Sequence, residues 1–237
     1  MFDLAIQAGQ VKIGPWMVSE SLVISVSLAV VLIIVAVLLR IFFVPRLKEE
    51  PKGFQNVIEL AVESLNNYSR SLLGGHSVAL APYFGAVALY ILVAGLVELI
   101  GLRSPLADLN VTVSLALMTF VLINAMGIRV KGVFGRIKTL AQPNAVMLPI
   151  KMVTDCAVPV SLACRLYGNV LGGMIVMSLL IQSLTMLCER FWPFVIPEAL
   201  LAVLPGILAL YFNVFHIGIQ AFIFVTLSMT YIKEAVE

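Results

Sequence analysis

Polar and ionisable residues in this chain gather in short clusters separated by long apolar runs. A helix needs roughly 20 apolar residues to cross a hydrocarbon core of about 30 Å. Residues 21–39, between Glu20 and Arg40, form one such run. Residues 71–97, between Arg70 and Glu98, hold a second whose apolar part begins near Pro82, and 109–128, between Asp108 and Arg129, are a third. Two further runs are longer. Between Asp155 and Glu189 the only charge is Arg165, and between Glu198 and Lys233 there is none for 34 residues. A straight helix of that length would be about 50 Å long by the helical rise. It is expected to tilt steeply, with Pro205-Gly206 able to absorb part of the excess. Residues 188–198 (CERFWPFVIPE) between the two long runs carry two prolines, a tryptophan and three charges. They read as an interfacial turn, which makes the two long helices an antiparallel hairpin.

One stretch has a different period. Phe54, Val57, Ile58, Ala61, Val62, Leu65, Tyr68 and Leu72 recur at three- and four-residue steps, with Gln55, Asn56, Glu59, Glu63, Asn66, Asn67 and Arg70 on the other face. That pattern predicts an amphipathic helix lying on a membrane surface or on a partner.

Composition agrees: 61% of the 237 residues are hydrophobic and 12% are charged, against about 25% charged in a soluble domain. Such a chain cannot cover a globule of this size with polar surface, which excludes a soluble enzyme, a disordered protein and a secreted disulfide scaffold. A net charge of +2 gives no reason to expect a nucleic-acid partner. Cys156, Cys164 and Cys188 have no metal-ligand spacing and read as small hydrophobes. The N-terminal residues carry Asp3 and no basic stretch before the first long run, so no cleavable signal is expected.

Basic residues orient the spans. With the N-terminus outside, eleven lysines and arginines fall on the inner side, three (Lys12, Arg103, Arg190) on the outer side, and Arg165 within the membrane. The expected layout over 1–237 is a single all-α polytopic membrane domain with five membrane helices and one amphipathic surface helix. It has an outer N-terminal segment (1–18), spans at 19–43, 82–102 and 109–128, and an amphipathic cytoplasmic helix at 51–73. A basic cytoplasmic loop (129–149) precedes the long tilted helices at 150–187 and 199–232.

Arg165 is the residue that composition does not explain. An arginine at a helix centre costs about 2.5 to 3.5 kcal/mol on insertion scales. It is therefore either paired or snorkelling within the bundle, or a fixed positive charge on an ion path. Ser161, Arg165, Gly168, Asn169 and Gly172 share one broad helical face. Its Gly168-x-x-x-Gly172 spacing suits either static close packing or a partner that slides past. In the last helix Asn213, His216 and Gln220 fall at i, i+3 and i+7, where they should face protein or water. His216 is either a proton relay or a neutral imidazole bonded between helices. Glu98 and Asp108 lie near the outer ends of spans two and three, and Asp155 near the inner end of span four.

At these residues the chain resembles a family. SLACRLYGNVLGG (161–173) resembles the R-L-F-G-N motif of subunit a of F-type ATP synthases, and GIQAFIFVTLSMTYI (218–232) that family's Q-A-F-I-F signature. ADLNVTVSLAL (107–117) resembles its A-D-L-N-x-T segment, and PKGFQNVIELAVE (51–63) its amphipathic helix. The resemblance implies a stator beside a rotating ring of c subunits, with two half-channels opening to opposite sides of the membrane. It implies that Arg165 separates the half-channels, that Asn169 and Gln220 are the polar positions near it, and that Asp155 is an acid of the inner half-channel. It further implies H⁺ or Na⁺ as the translocated ion, subunit b of the peripheral stalk and the remaining synthase subunits as partners, and a bacterial plasma membrane as the location. No cofactor, metal or catalytic residue is expected in the chain.

Two departures concern the outer half-channel. The family often has an acid nine residues after the arginine, where this chain has Met174, and Glu or His seven before the glutamine, where it has Asn213. Glu98, the only acid in the apolar part of span two, is the candidate replacement, with His216 as its companion. The competing function is a secondary transporter using Arg165 to hold an anionic substrate. Such proteins often show two related halves, and no internal repeat is found in this sequence.

Overall fold

In a bilayer only internal backbone bonds can satisfy N–H and C=O groups, and the apolar runs of this chain are accordingly helical. The structure is a computed structural model that describes residues 10–13, 16–46, 53–140, 147–191 and 198–236. A short antiparallel hairpin, β1 (Gln10–Ile13) and β2 (Trp16–Ser19), leads into α1 (Glu20–Leu38). That helix continues as a π turn over Leu39–Phe43 and a 3-10 turn over Val44–Arg46. Then come α2 (Phe54–Leu73), α3 (Ser77–Leu96) with a 3-10 extension Val97–Ile100, α4 (Leu109–Leu140) and α5 (Met147–Phe191). α6 (Glu198–Leu210), a π-helical segment Tyr211–His216 and α7 (Ile217–Val236) follow without interruption. Among the described residues five helical stretches are long and apolar enough to cross a membrane: Glu20–Phe42, Ala79–Ile100, Leu109–Val133, Pro149–Leu187 and Pro205–Val236. The fold is an all-α polytopic membrane protein, with the small N-terminal hairpin as an addition that the helical periodicity did not contain.

α7 is the hub. Ile217, Gln220, Ala221, Phe224, Val225, Ser228, Met229, Ile232 and Ala235 are buried at three- and four-residue steps, and the helix packs against α2, α3, α4 and α5. α1 is the opposite case: it is apolar all round, and of its residues only Ser21 is buried. A helix without a polar face has no one side to turn inward, which suits contact with lipid. It is tied to the bundle by polar groups instead, the Ser25 and Tyr90 hydroxyls at 2.7 Å and Ser19 Oγ donating to Asp108 Oδ2 at 3.0 Å. Asp108 also accepts the Asn110 N–H at 3.0 Å, so it caps α4.

α2 splits its apolar face. Its C-terminal half packs on α3 and α7 through Leu65, Tyr68, Leu72 and Leu73, with the Tyr68 hydroxyl 2.9 Å from Thr226 Oγ1. Val57 and Leu60 in its first turns are 61% and 62% exposed. Half of this amphipathic helix thus belongs to the chain's own core.

Three expectations need correction. The stretch 129–149 is not one loop, because α4 runs on to Leu140 across a break at Gly132 (φ 71°, ψ 167°). Arginine and lysine are good helix formers, so Arg129 and Lys131 do not stop a helix, whereas glycine takes that backbone angle without strain. Residues 141–146 lie outside the described part. In the last long element, Pro205-Gly206 does not interrupt the helix, and the irregularity falls at Tyr211–His216. A proline removes a single backbone bond, which local adjustment in a spanning helix can offset. The expected turn over 188–198 is shorter than its sequence suggests, since α5 runs on to Phe191 and α6 starts at Glu198; residues 192–197 lie outside the described part.

Candidate functional site

α5 presents two faces. Leu162, Ala163, Leu166 and Val170 are buried against the bundle, while Ser161, Cys164 and Gly168 are exposed and Arg165, Asn169 and Gly172 are half-buried. Arg165 therefore stands at the border between the core and an open face. A Cβ built on Gly168 or Gly172 would meet no atom within 4 Å, so among the described residues nothing packs against these glycines. Cys156 and Cys164 are free thiols and exposed.

One turn beyond Arg165, Asn169 Nδ2 donates to Gln220 Oε1 of α7. Gln220 is 3% exposed, and its Nε2 has no partner among the described residues. An amide pair of this kind fixes α5 and α7 in register, because breaking it would leave buried polar atoms unsatisfied.

Two cavities reach α5 on opposite sides of Arg165. The smaller, about 170 Å³, is lined by Glu98 from the 3-10 extension of α3, Asn169 and Met174 from α5, and His216 from the π-helical segment. The larger, about 570 Å³, is lined by Lys151, Asp155 and Ser161 of α5, Asn124 of α4, and Tyr231 and Glu234 of α7. Ser161 is four residues before Arg165 and Asn169 four after it, so the cavities touch one helix at points about 12 Å apart by the helical rise. Both are roomy and polar enough to hold water.

The structure thus brings Glu98, Asn169 and His216 together, gives Asp155 to the second cavity, and places Arg165 between them. Met174, where the family often has an acid, lines the same cavity as Glu98 and His216. Asn213 lies on the π-helical segment, its side chain outside the described part. A π turn carries an extra residue, so the α-helical spacing that put Asn213, His216 and Gln220 on one face does not hold through it. Sequence reasoning missed Lys151 and Glu234 as cavity residues. Lys151 stands four residues before Asp155, a spacing that signals a shared face, whereas Glu234 looks like any charge at a helix end.

Five helical stretches long and apolar enough to cross a membrane, with charged and polar groups lining cavities between them, define an integral membrane protein. Residues 24–233 match the family of the ATP synthase A chain, and the chain belongs to that family. It is 30% identical over 202 residues to "ATP synthase subunit a, sodium ion specific" of Propionigenium modestum, covering 78% of this chain and 64% of that protein. It is 32% identical over 203 residues to "ATP synthase subunit a, chloroplastic" of Stigeoclonium helveticum, covering 81% of this chain and 75% of that one. The alignable part is thus somewhat under two thirds of the Propionigenium protein's length.

Proposed function

We propose that this chain is the membrane stator of a rotary ATP synthase, carrying H⁺ or Na⁺ through two half-channels beside a ring of c subunits. The observation that carries the reading is the pair of cavities meeting one helix a turn to either side of Arg165. A fixed guanidinium between two water-filled ends disfavours a cation passing straight through and favours the ionised form of a carboxylate brought beside it. The ion must then board a moving carboxylate on one side and leave on the other. The open face of α5, with Gly168 and Gly172 uncovered, supplies a smooth surface for that passage.

By the distribution of basic residues, the Glu98 cavity opens outward and the Asp155 cavity inward, with the N-terminus outside a bacterial plasma membrane and the C-terminus in the cytoplasm. Glu98 and His216 take over the proton handling that the family often assigns to the positions of Met174 and Asn213. The reading is supported by Met174, Glu98 and His216 lining one cavity. Nucleotide chemistry belongs to other subunits, and subunit b of the peripheral stalk holds this chain against rotation.

The test is Arg165→Ala in the assembled complex. ATP-driven pumping and ion-driven ATP synthesis are expected to vanish while the chain stays in the complex. Coupled pumping at the wild-type rate in that variant would refute the stator mechanism.

A further inference from the structure

We infer that Glu234 is an ion-path residue, the carboxylate that gathers the ion at the mouth of the Asp155 cavity. The inference rests on the stator reading above and adds to it a residue of α7.

The cavity has a direction. On α5 its wall runs from Lys151 through Asp155 to Ser161, about 15 Å by the helical rise, and ends one turn short of Arg165. α7 runs antiparallel to α5 and brings Tyr231 and Glu234 to the Lys151 end. Glu234 is exposed while Asp155 is half-buried, so from the bulk the order is Glu234, Asp155, Ser161, Arg165. The ionisable groups on the wall are Lys151 and Asp155 from α5 and Tyr231 and Glu234 from α7, and α4 contributes the neutral Asn124. On the wall itself two carboxylates stand against one ammonium, while Lys233, the neighbouring cation in the last turn of α7, is exposed and does not line the cavity. Low-dielectric walls focus the field of those lining charges and raise the local concentration of cations.

Two features separate Glu234 from an ordinary solvated end charge. It sits beside Ile232 and Ala235, both buried, so its backbone is held in the cavity wall. It also lies in the last turn of α7, where the helix dipole opposes a negative charge. A residue that helix stability disfavours there has its explanation in the cavity it faces.

The experiment uses inside-out vesicles holding the assembled complex, in which the Glu234 end meets the bath. ATP-driven pumping is measured while H⁺ and Na⁺ in the bath are each varied alone. Glu234→Gln should raise the bath concentration of the coupling ion needed for half-maximal pumping by roughly three- to tenfold, the low end of electrostatic focusing. The maximal rate should change little, and Glu234→Asp should restore most of the loss. The gap between wild type and Glu234→Gln should shrink in high choline chloride, since salt screens a field acting from the mouth. In ATP synthesis, the dependence on ion from the opposite side should be unchanged. An assembled Glu234→Gln complex with an unshifted bath dependence, or with equal shifts on both sides, overturns the inference. Arg165→Ala is run in the same vesicles. If it still pumps, the stator reading itself fails; if it does not pump and Glu234→Gln shows no shift, only the role of Glu234 is lost.

Discussion

A Cβ on Gly95 of α3 would collide with the side chain of Ile217 at the start of α7, and one on Gly85 would lie 2.8 Å from Leu65 of α2. Gly168 and Gly172 of α5 have empty space at the same position. The four glycines sit in apolar helices and look alike in the sequence, yet two close a seam and two leave a face open. The closed seam is where α3 meets α7 and α2. The open face belongs to the helix with Arg165, and small residues left uncovered there make sense where something outside the chain comes close. Small residues in membrane helices permit backbone approach, and the approach is internal in one region and left unused by the chain in the other.

The same substitution at both places tests this division, and it carries the largest expected effect. Gly95→Val overpacks a closed seam, at a cost on the order of 3 kcal/mol or more, and little chain should be recovered in purified complex. Gly172→Val should leave recovery and thermal stability within about 0.5 kcal/mol, as for other substitutions that touch nothing, while ATP-driven pumping drops at least tenfold. Recovery of Gly95→Val at wild-type level would erase the distinction from one side. Full pumping by Gly172→Val would erase it from the other.

The seam and the open face also show how far the sequence could be read. The five apolar stretches, Arg165 and its small-residue face were legible, because lipid forces helix formation and makes one internal charge conspicuous. Which glycine faces which helix was not, because that depends on Ile217 and Leu65, residues far away in the chain. For the same reason Glu234 went unnoticed: its cavity is assembled from α4, α5 and α7, and nothing local marks the residue. Asp108 looked like an end charge and is one, capping α4 and holding Ser19. The break at Gly132 was hidden because a glycine can also sit inside a helix, and the π segment at Tyr211–His216 because no residue type marks the extra residue of a π turn.

The second comparison lies between the two cavities, and its expected effect is intermediate. The Glu98 cavity holds one acid, one imidazole and the Asn169 amide among thioethers and apolar groups; the Asp155 cavity holds two acids and a lysine. A path with a single acid should depend heavily on it. Glu98→Gln is expected to slow pumping roughly tenfold, less than the loss of a sole general acid or base because His216 remains. Met174 lines the same cavity, so adding Met174→Glu to that variant should recover much of the rate. Pumping by Glu98→Gln at the wild-type rate would remove Glu98 from the path, whatever the second substitution does.

The smallest expected effect concerns the join between the closed seam and the amphipathic helix. Tyr68 of α2 shares a hydrogen bond with Thr226 at 2.9 Å and packs its ring against Phe222 at 5.5 Å between centroids. Tyr68→Phe keeps the ring contact and removes the hydroxyl. A neutral, part-buried hydrogen bond contributes about 1 kcal/mol, and Thr226 can still bond the Phe222 carbonyl at 2.7 Å. Thermal stability of the complex should fall by about that amount, with no change in pumping per assembled complex. Thr226→Val should cost a similar amount, and the double variant little more than either alone, since the two remove one shared bond. Additive losses would mean that α2 is not tied to α7 through this pair. A loss of pumping beyond the loss of assembled complex would place α2 with the open face rather than with the closed seam.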